Sequence, residues 1–322
     1  MKTTLLLDDV SKRYAEHTAV SHLSLQVPSG TIYGILGPNG AGKSTTLRMV
    51  MNIIARDSGT ISLLGADPAT DRAVLRRVGY LPEERGLYKK MQVLDVIVFF
   101  AMLKGVAERE AQSEGARWLE RMGLGEWTRS RVETLSKGMQ QKVQFITTVL
   151  HRPDVLILDE PASGLDPVNQ EVLRDTILDA RAEGRTVIFS THNMEQAEQL
   201  CEYVCIIAGG RKVLDGALRE VRRANMGSRY RVEFDGDAGG ELRLDGALRA
   251  LVRGAARRGD GWEIELAPGA DVRAVVAALN AMQAPILTFA RVQPSLHEIF
   301  VARVGDATAP KRRDDAREPA HV

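Results

Sequence analysis

The chain has 322 residues, of which 44% are apolar, and this is enough to bury the cores of about two domains. Its 43 basic and 42 acidic residues leave a net charge of +1, which excludes a global attraction to nucleic acid or anionic lipid. No signal peptide is expected, because the apolar Leu5-Leu6-Leu7 is short and two aspartates follow it. The most apolar segment, residues 93–103, contains Asp95 and is shorter than the ~18 apolar residues of a membrane span. We therefore expect no membrane-spanning segment in this chain.

A strand and a helix are predicted early in the chain, separated by a glycine-rich loop. Ile32–Leu36 is an apolar run typical of a buried strand. Leu47, Val50, Met51 and Ile54 fall on one face of a helix. This order is the context in which a glycine-rich loop can bind phosphate.

The loop itself matches the pattern G-x-x-x-x-G-K-[ST]. Its glycines allow successive backbone N–H groups to point at a polyphosphate, and the positive end of the following helix adds to the attraction. Lys43 is placed to reach the outer phosphates, and the Ser44 hydroxyl to ligate Mg²⁺. A glycine-rich turn with a chance Lys-Ser pair is the alternative, but the flanking strand and helix favour a nucleoside triphosphate site. The predicted loop residues are Gly37, Pro38, Asn39, Gly40, Ala41, Gly42, Lys43, Ser44 and Thr45.

Apolar strand patterns alternate with helical ones as far as about Gly216, which predicts an α/β domain with a largely parallel sheet. Alternating segments at residues 23–27 and 60–64 predict a small antiparallel sheet. Residues 88–144 are mostly helical and are interpreted as an insertion. Further buried strands are predicted at residues 155–158, 187–190 and 204–207.

The last part of the helical insertion contains a clear helix start. Ser136 is expected to cap a helix with apolar positions at Val143, Ile146, Val149 and Leu150. The start of such a helix also attracts anions. Without further context the segment is simply a well-capped helix.

Two carboxylates follow the strand predicted at residues 155–158. Asp159 can hold Mg²⁺, usually through water, and Glu160 can polarise the water that attacks a γ-phosphate. His192 follows the next strand, residues 186–191, and can donate to the γ-phosphate and hold the water in line. Taken singly, solvated acids and a capping or surface histidine are the simpler interpretations, so these roles depend on the phosphate-binding loop.

The two cysteines, Cys201 and Cys205, would share one face of a helix. Residues 204–207 have the pattern of a strand, however, so we expect a helix and a strand to meet between them. Buried small apolar side chains are favoured over a metal or redox pair, and this usage suits a reducing cytoplasm.

After about Gly216 the chain is predicted to lead into a second unit. An Arg-rich helix at residues 218–224 leads to residues 226–228, which are interpreted as a hinge. The polar C-terminal tail lacks apolar periodicity and is expected to be disordered. Strands are predicted at residues 230–234, 262–266 and 286–292, and helices at residues 271–282 and 295–303. The predicted division is one domain at residues 1–226, a small α+β domain at residues 227–305, and a tail at residues 306–322.

Five motifs occur together and in order. They are the loop at residues 37–45, Leu-Ser-Lys-Gly-Met at 135–139, Leu-Ile-Leu-Asp-Glu-Pro at 156–161, Ser-Gly-Leu-Asp-Pro at 163–167 and Ser-Thr-His at 190–192. With this set, roughly the first two-thirds of the chain resembles the ATP-binding subunit of an ATP-binding cassette (ABC) transporter. The resemblance implies an α/β P-loop NTPase with a mixed-sheet core, an antiparallel β subdomain and a helical subdomain at about residues 88–144.

The resemblance also assigns roles to single residues, with Lys43, Glu160 and His192 as the catalytic set. Tyr14 matches the aromatic that stacks on adenine, although by itself it is an ordinary surface aromatic. Ser136 and Gly138 match the signature that contacts the γ-phosphate of ATP held by the opposite subunit. Asp166 matches the D-loop at the dimer interface. The family thus implies two head-to-tail subunits enclosing two ATP molecules, and we expect the second subunit to be a copy of this chain.

The sequence departs from the commonest family pattern at Glu83, where Gln is usual after Tyr-Leu-Pro. A carboxylate can still ligate Mg²⁺ together with Ser44 and Asp159, but it adds negative charge near the γ-phosphate and is expected to tune turnover. The signature carries Lys137 and Met139 in place of the commonest Gly and Gln. Its phosphate-contacting Ser and Gly are retained, so we expect an active ATPase.

The segments at residues 80–88 and 294–300 narrow the resemblance to the ABC-2 branch, of the sodium-efflux or drug-export type. It implies an energy-coupling ATPase at the cytoplasmic face of a bacterial inner membrane, docked peripherally through residues 83–131 to a permease on a separate chain, with no nucleic acid partner. The alternative is a soluble ABC ATPase acting as a non-transport assembly or regulatory factor. For the small C-terminal domain we expect a regulatory or dimer-stabilising role, with simple packing as the alternative.

Overall fold

The computed structural model describes residues 2–84, 86–235, 242, 244, 246–282 and 285–308. They form two compact units, one made by residues 1–218 and the described residues after 299, the other by residues 219–299. The strands are β1 (Thr3–Tyr14), β2 (His17–Pro28), β3 (Ile32–Leu36), β4 (Ser58–Leu63), β5 (Val78–Leu81), β6 (Val155–Asp159), β7 (Thr186–Thr191), β8 (Tyr203–Ala208), β9 (Arg211–Ala217), β10 (Arg229–Phe234), β11 (Val252–Arg258), β12 (Gly261–Leu266) and β13 (Ile286–Arg291). The helices are α1 (Lys43–Val50), α2 (Val93–Leu103), α3 (Glu108–Arg121), α4 (Lys137–Val149), α5 (Pro167–Ala182), α6 (Met194–Leu200), α7 (Leu218–Ala224), α8 (Gly246–Leu251), α9 (Val272–Asn280) and α10 (Leu296–Thr308).

The first unit is built on a sheet with the strand order β5-β6-β7-β3-β8-β9. The first five of these strands run parallel, and β9 pairs antiparallel to β8 at the edge. Every residue of β3, β6 and β7 is buried, as expected for Val-, Ile- and Leu-rich strands covered on both faces. The α/β class and the parallel sheet predicted from the sequence are therefore confirmed. Because parallel strands share a direction, the loops after β3, β5, β6 and β7 leave the same edge of the sheet.

A separate antiparallel sheet has the order β2-β1-β4. Its apolar face packs with α1 into one core that includes Leu5, Leu23, Leu47 and Ile61. The predicted segments at 23–27 and 60–64 lie in or beside β2 and β4, so the predicted antiparallel sheet is confirmed. The central strand β1 was not predicted, because its register shifts repeatedly against β2 and its alternation is broken.

The region between β5 and β6 is helical, with α2 packing on both α3 and α4. Gly115 permits the close approach of α3 to α2, because a Cβ at this position would lie 3.0 Å from Leu94 Cδ1. Trp118 and Phe145 meet edge to face with ring centroids 6.3 Å apart, which joins α3 to α4. Ser136 caps α4, as predicted, by accepting a hydrogen bond from the Met139 N–H at 3.2 Å.

Several sequence predictions need correction. The helix expected to reach Ile54 ends at Val50, because Asn52 adopts a left-handed backbone conformation with φ of 51°. The short strand β5 was missed because it is four residues long and contains Gly79, where a Cβ would lie 2.3 Å from the Thr148 carbonyl oxygen. The polar edge strand β9 was also missed. In the tail predicted at 306–322, residues 306–308 belong to α10, and residues 309–322 lie outside the described part of the chain.

The cysteines lie on either side of the predicted junction, since α6 ends at Leu200 and β8 begins at Tyr203. Cys201 and Cys205 are both buried free thiols. Burial raises the pKa of each thiol well above its ordinary value. They therefore act as small apolar core residues, as the sequence indicated.

The second unit contains an antiparallel sheet with the order β11-β12-β10-β13. One face of this sheet is buried by α8 and α9, in a core that includes Val232, Ile264, Val275 and Leu279. Val232 pairs with Trp262, and Phe289 pairs with Val232 on the other side. The three predicted strands are present, whereas β11 and α8 were not predicted. Among the described residues, no helix has the length and apolar character needed to cross a membrane.

We expect Ile264→Ala to lower the local stability of the second unit by about 2–5 kcal/mol, because Ile264 is fully buried in its core. The measurement is hydrogen exchange of the β10 and β12 amides, which reports the opening of this unit. Leu287→Ala is the matched control, since Leu287 is 64% exposed. Equal effects of the two substitutions would contradict this assignment of the core.

Candidate active site

The loop after β3 is shaped by glycines whose backbone conformations residues with side chains rarely adopt. Gly37, Gly40 and Gly42 have φ values of 151°, 79° and 103°. A Cβ on Gly37 would lie 2.1 Å from the Ile207 carbonyl oxygen, and one on Gly42 would lie 2.4 Å from the Ala19 carbonyl oxygen. The loop therefore passes close to its neighbours and turns directly into α1, whose first N–H groups have no partners within the helix.

Lys43 begins α1 and is buried in the loop that precedes it. Its Nζ donates hydrogen bonds to the Gly37 carbonyl oxygen at 2.9 Å and to the Pro38 carbonyl oxygen at 3.2 Å. The same Nζ lies 3.3 Å from Glu160 Oε1. The side chain thus spans the space between the glycine loop and the end of β6.

Asp159 lies at the end of β6 and is fully buried. Its Oδ1 accepts hydrogen bonds from Ser44 Oγ at 3.0 Å and from Ser190 Oγ at 2.5 Å. Burial raises the pKa of Asp159, and the hydrogen bonds from Ser190 and Ser44 oppose this rise. Glu83 Oε2 lies 3.5 Å from the same Ser44 Oγ. The structure therefore brings two of the predicted metal ligands, Asp159 and Glu83, to the hydroxyl of the third, Ser44.

Glu160 follows Asp159 with a left-handed backbone φ of 48°, which is an uncommon conformation for a residue with a side chain. Its backbone N–H donates to Ser190 Oγ at 3.1 Å, which holds this turn in place. The carboxylate is nearly buried, and its Oε2 lies 3.0 Å from His192 Nδ1. Glu160 therefore contacts both Lys43 and His192, the other two residues of the predicted catalytic set.

A cleft of 430 Å³ opens beside these residues. Tyr14 lies at its rim and is 46% exposed, so one face of the ring is available for stacking on a flat ligand. The Lys12 Nζ lies 5.5 Å from the centre of this ring. The cleft residues that sequence analysis missed are His17 and Ala19, since only the β1–β2 hairpin brings them here. The lining is Tyr14, His17, Ala19, residues 39–45, Glu83 and Glu160.

The remaining predicted residues lie outside this cleft. The start of α4 is close to residues 163–167, because a Cβ on Gly138 would lie 3.3 Å from the Gly164 carbonyl oxygen. Asp166 caps α5 by accepting hydrogen bonds from the N–H and side-chain amide of Asn169, which lower the pKa of Asp166. Ser136, Gly138 and Asp166 are thus not among the residues that line the cleft beside Lys43.

The atoms around the Ser44 hydroxyl are carboxylate oxygens, the kind of ligand that Mg²⁺ prefers. Asp159 Oδ2 is buried and has no hydrogen-bond partner among the described residues, although a buried carboxylate oxygen needs one. No group of three or more His, Cys, Asp or Glu side chains in the described part of the chain could hold a metal ion alone. Mg²⁺ does not require such a group, since one or two carboxylates and the phosphates of its nucleotide commonly hold it.

The fold and the geometry define a class: a P-loop protein with an acid pair at the end of another parallel strand of the same sheet, built to bind and hydrolyse a nucleoside triphosphate. Residues 20–163 match the family model described as ABC transporter. Residues 216–304 match the model described as ATP-binding protein DrrA1-3-like, C-terminal domain.

Known proteins give the same result. The chain is 40% identical to the "Uncharacterized ABC transporter ATP-binding protein YhaQ" of Bacillus subtilis (strain 168) over 301 residues, which cover 94% of this chain and 98% of that protein. It is 37% identical to the "Nod factor export ATP-binding protein I" of Burkholderia orbicola (strain AU 1054), over 68% of this chain and 72% of that protein. A solved "Structure of ATP binding subunit of ABC transporter" is 30% identical, with a TM-score of 0.65, and covers 69% of this chain and 92% of that structure. This chain belongs to the ATP-binding proteins of ABC transporters, and it is an ATPase of that family.

We expect Asp159→Asn to raise the thermal stability of the nucleotide-free protein at neutral pH, because burial disfavours the ionised carboxylate. Because the pKa of Asp159 is raised in the folded protein, this penalty is complete at pH values above the folded-state pKa and absent at pH values below the ordinary pKa of 3.8. The gain should therefore shrink as the pH of the unfolding experiment is lowered from 7.5 towards 4.5. Asp57→Asn is the contrast, since the hydrogen bond from Lys12 lowers the pKa of Asp57 and its loss should reduce stability. A gain for Asp159→Asn that does not depend on pH would contradict the argument.

Proposed function

We propose that this chain is the energy-coupling ATPase of an ABC-2 type exporter and drives a permease carried on a separate chain. The observation that carries the proposal is the meeting of Lys43, Ser44, Asp159, Glu160 and His192 at one edge of the sheet. The export direction is supported by the match to the DrrA1-3-like C-terminal domain and by the similarity to relatives named for Nod factor export. The substrate class that we propose is small, of the sodium or drug-like kind, or another small substrate.

In this proposal the nucleotide lies in the 430 Å³ cleft. Tyr14 stacks on the base, the N–H groups of the glycine loop surround the phosphates, and Lys43 exchanges its carbonyl partners for a phosphate oxygen. Ser44, Asp159 and Glu83, which lie together at the Ser44 hydroxyl, would hold Mg²⁺. Bound Mg²⁺ offsets the negative charge of the outer phosphates.

Glu160 is the proposed general base. Its carboxylate accepts a proton from the attacking water. Glu160 is buried and its Oε1 lies beside Lys43 Nζ, so the carboxylate is held close to the place proposed for the γ-phosphate. His192, 3.0 Å from this carboxylate, orients the water and donates to the γ-phosphate. Ser136 and Asp166 lie outside the cleft, and this supports a head-to-tail pair of subunits in which each chain completes the site of the other.

The proposed permease-docking surface consists of Tyr88, Phe99, Phe100, Met102 and Leu103. The Tyr88 ring lies 5.5 Å from Phe99 and 6.0 Å from Phe100 between ring centroids. Tyr88, Met102 and Leu103 are exposed large side chains, which is unusual for a face that meets only water. Docking through this surface would hold the chain at the cytoplasmic face of the inner membrane without any contact with lipid.

The test uses Glu160→Gln as bait. We expect this variant to lose ATP hydrolysis by about 10²–10⁴-fold, because the amide cannot accept the proton, while it still binds ATP. In an ATP-loaded pull-down from detergent-solubilised native membranes, it should co-purify with a polytopic membrane protein. Adding Tyr88→Ala to the bait should abolish this recovery, whereas adding Ile53→Ala, at an exposed residue outside the docking surface, should not. Recovery of soluble or ribosomal partners alone would support a non-transport role instead.

A second prediction concerns Glu83. Three carboxylates, Glu83, Asp159 and Glu160, lie beside Ser44 or Lys43. Lys43 and Arg48, which acts on Asp159, supply two positive charges against these three negative ones, so a free polyphosphate meets net negative charge that a divalent cation must offset. We expect Glu83→Gln to reduce by about tenfold the factor by which Mg²⁺ strengthens ATP binding. The measurement is the affinity for a fluorescent ATP analogue with Mg²⁺ and with chelator.

Glu84→Gln is the matched control for Glu83→Gln. It makes the same chemical change one residue later, where the carboxylate is exposed and lies 3.9 Å from Arg48. We expect it to leave the Mg²⁺ effect unchanged. An equal shift in both variants would show that bulk charge, and not ligation by Glu83, is responsible.

A further inference from the structure

A buried glutamine joins the loop that carries Glu83 to helix α4. Gln144 lies on α4 and is 4% exposed. Its side-chain nitrogen, Nε2, donates to the Glu84 carbonyl oxygen at 3.2 Å and to the Pro82 carbonyl oxygen at 3.5 Å. These two carbonyls lie on either side of Glu83, so one amide holds the backbone around Glu83 at two points.

The orientation of the amide follows from its neighbours. Both loop groups are carbonyl acceptors, so only the Gln144 nitrogen can face them. The Oε1 atom on the other side is buried and accepts no hydrogen bond from the residues that the structure describes. Burying an unpaired acceptor costs stability, and an apolar side chain of similar size would avoid that cost. The presence of Gln144 is therefore explained by its bonds to the loop and not by the stability of α4.

The N-cap of the same helix is Ser136, the residue proposed to contact the second ATP molecule. Ser136 and Gln144 are eight positions apart, which is about 12 Å along one uninterrupted helix. One turn further on, the Thr148 hydroxyl donates to the Gln144 carbonyl oxygen at 2.9 Å and lies 3.4 Å from the Tyr80 carbonyl oxygen in β5. Successive turns of the helix thus lie against the strand and the loop that carry Glu83.

We propose that Gln144 is a positioning residue, which fixes Glu83 beside Ser44 and links its movement to that of Ser136 on α4. This inference rests on the proposed function, in which Glu83 serves the ATP site of its own chain and Ser136 serves the site of the partner. Any displacement of Glu83 would move the Pro82 and Glu84 carbonyls with it, and the amide would transmit that movement to α4. The state of one ATP site would then be communicated to the other through the contact of Gln144 with the loop.

The test is Gln144→Met, which removes both donors and keeps the length and approximate volume of the side chain. The measured quantity is the ratio of affinities for a fluorescent ATP analogue with Mg²⁺ and with chelator. We expect this ratio to fall by roughly three- to tenfold, the loss expected for one or two hydrogen bonds. The double variant with Glu83→Gln should fall no further than Glu83→Gln alone, because Gln144 acts through Glu83.

Gln140→Met is the matched control, since it makes the same change on the same helix. The Gln140 amide donates to the Leu135 and Val132 carbonyl oxygens, away from the loop, so its ratio should equal that of the unmodified protein. A merely structural defect would weaken binding equally with and without Mg²⁺, and the ratio would not change. If Gln144→Met does not fold, Gln144→Leu replaces it as the test variant, because leucine also lacks both N–H donors.

The outcomes separate this inference from the proposal on which it rests. An unchanged ratio in Gln144→Met with a reduced ratio in Glu83→Gln overturns the inference and leaves the role of Glu83 intact. Unchanged ratios in both variants overturn the role of Glu83 and the inference together. Losses that add in the double variant also overturn the inference, because they show that the two residues act independently.

Discussion

The burial of two adjacent carboxylates at the end of β6 is the constraint on which the site depends. An ionised carboxylate is costly in a protein interior unless donors and positive charge surround it. Asp159 meets this need in part, through hydrogen bonds from Ser44 and Ser190 to its Oδ1, and Glu160 lies against Lys43 and His192. These partners come from the end of β7 and from the start of α1, which follows β3. The parallel sheet order, with β7 between β3 and β6, is what brings them to the same edge.

The same constraint explains which elements of the fold carry the residues of the cleft and which carry the residues outside it. Strands β3, β6 and β7 are buried on both faces and form a rigid base, so the loops that leave them are fixed closely. The strained backbone at Glu160 is held by hydrogen bonds to Ser190. Residues that serve the opposite subunit in the proposed dimer, such as Ser136, are placed on helix starts away from the cleft. In the proposed dimer, a single chain would thus present two complementary halves of a site and not one complete site.

Much of the fold was predictable wherever sequence pattern and burial coincide. Continuous Val, Ile and Leu runs predicted β3, β6, β7 and β8, because strands covered on both faces need no polar alternation. The strands that were missed break these patterns for physical reasons. In β1, Asp9 has a φ of 52° and lies where the register shifts, and in β5 the backbone of α4 leaves room only for glycine at position 79.

The candidate site was predictable as a set of residues but not as a geometry. The motifs predict Ser44, Asp159 and Glu83 as metal ligands, but they do not show that the three side chains meet. Glu83 and Asp159 lie 39 and 115 positions after Ser44 in the chain, so only the fold brings them to its hydroxyl. The sequence alone did not indicate any role for Gln144. It lies beside the apolar positions that predicted α4, and its partners are 60 and 62 positions away, so no local pattern reveals its contact with the loop.

The two native thiols have a practical consequence. Cys201 and Cys205 are buried, and their raised pKa keeps them protonated at the pH at which maleimides and similar reagents are used. The natural chain is therefore close to a cysteine-free background for site-directed labelling. A single cysteine introduced at an exposed position would carry a spin label or a fluorophore selectively, and distances within an assembled transporter could be followed without first replacing the native residues.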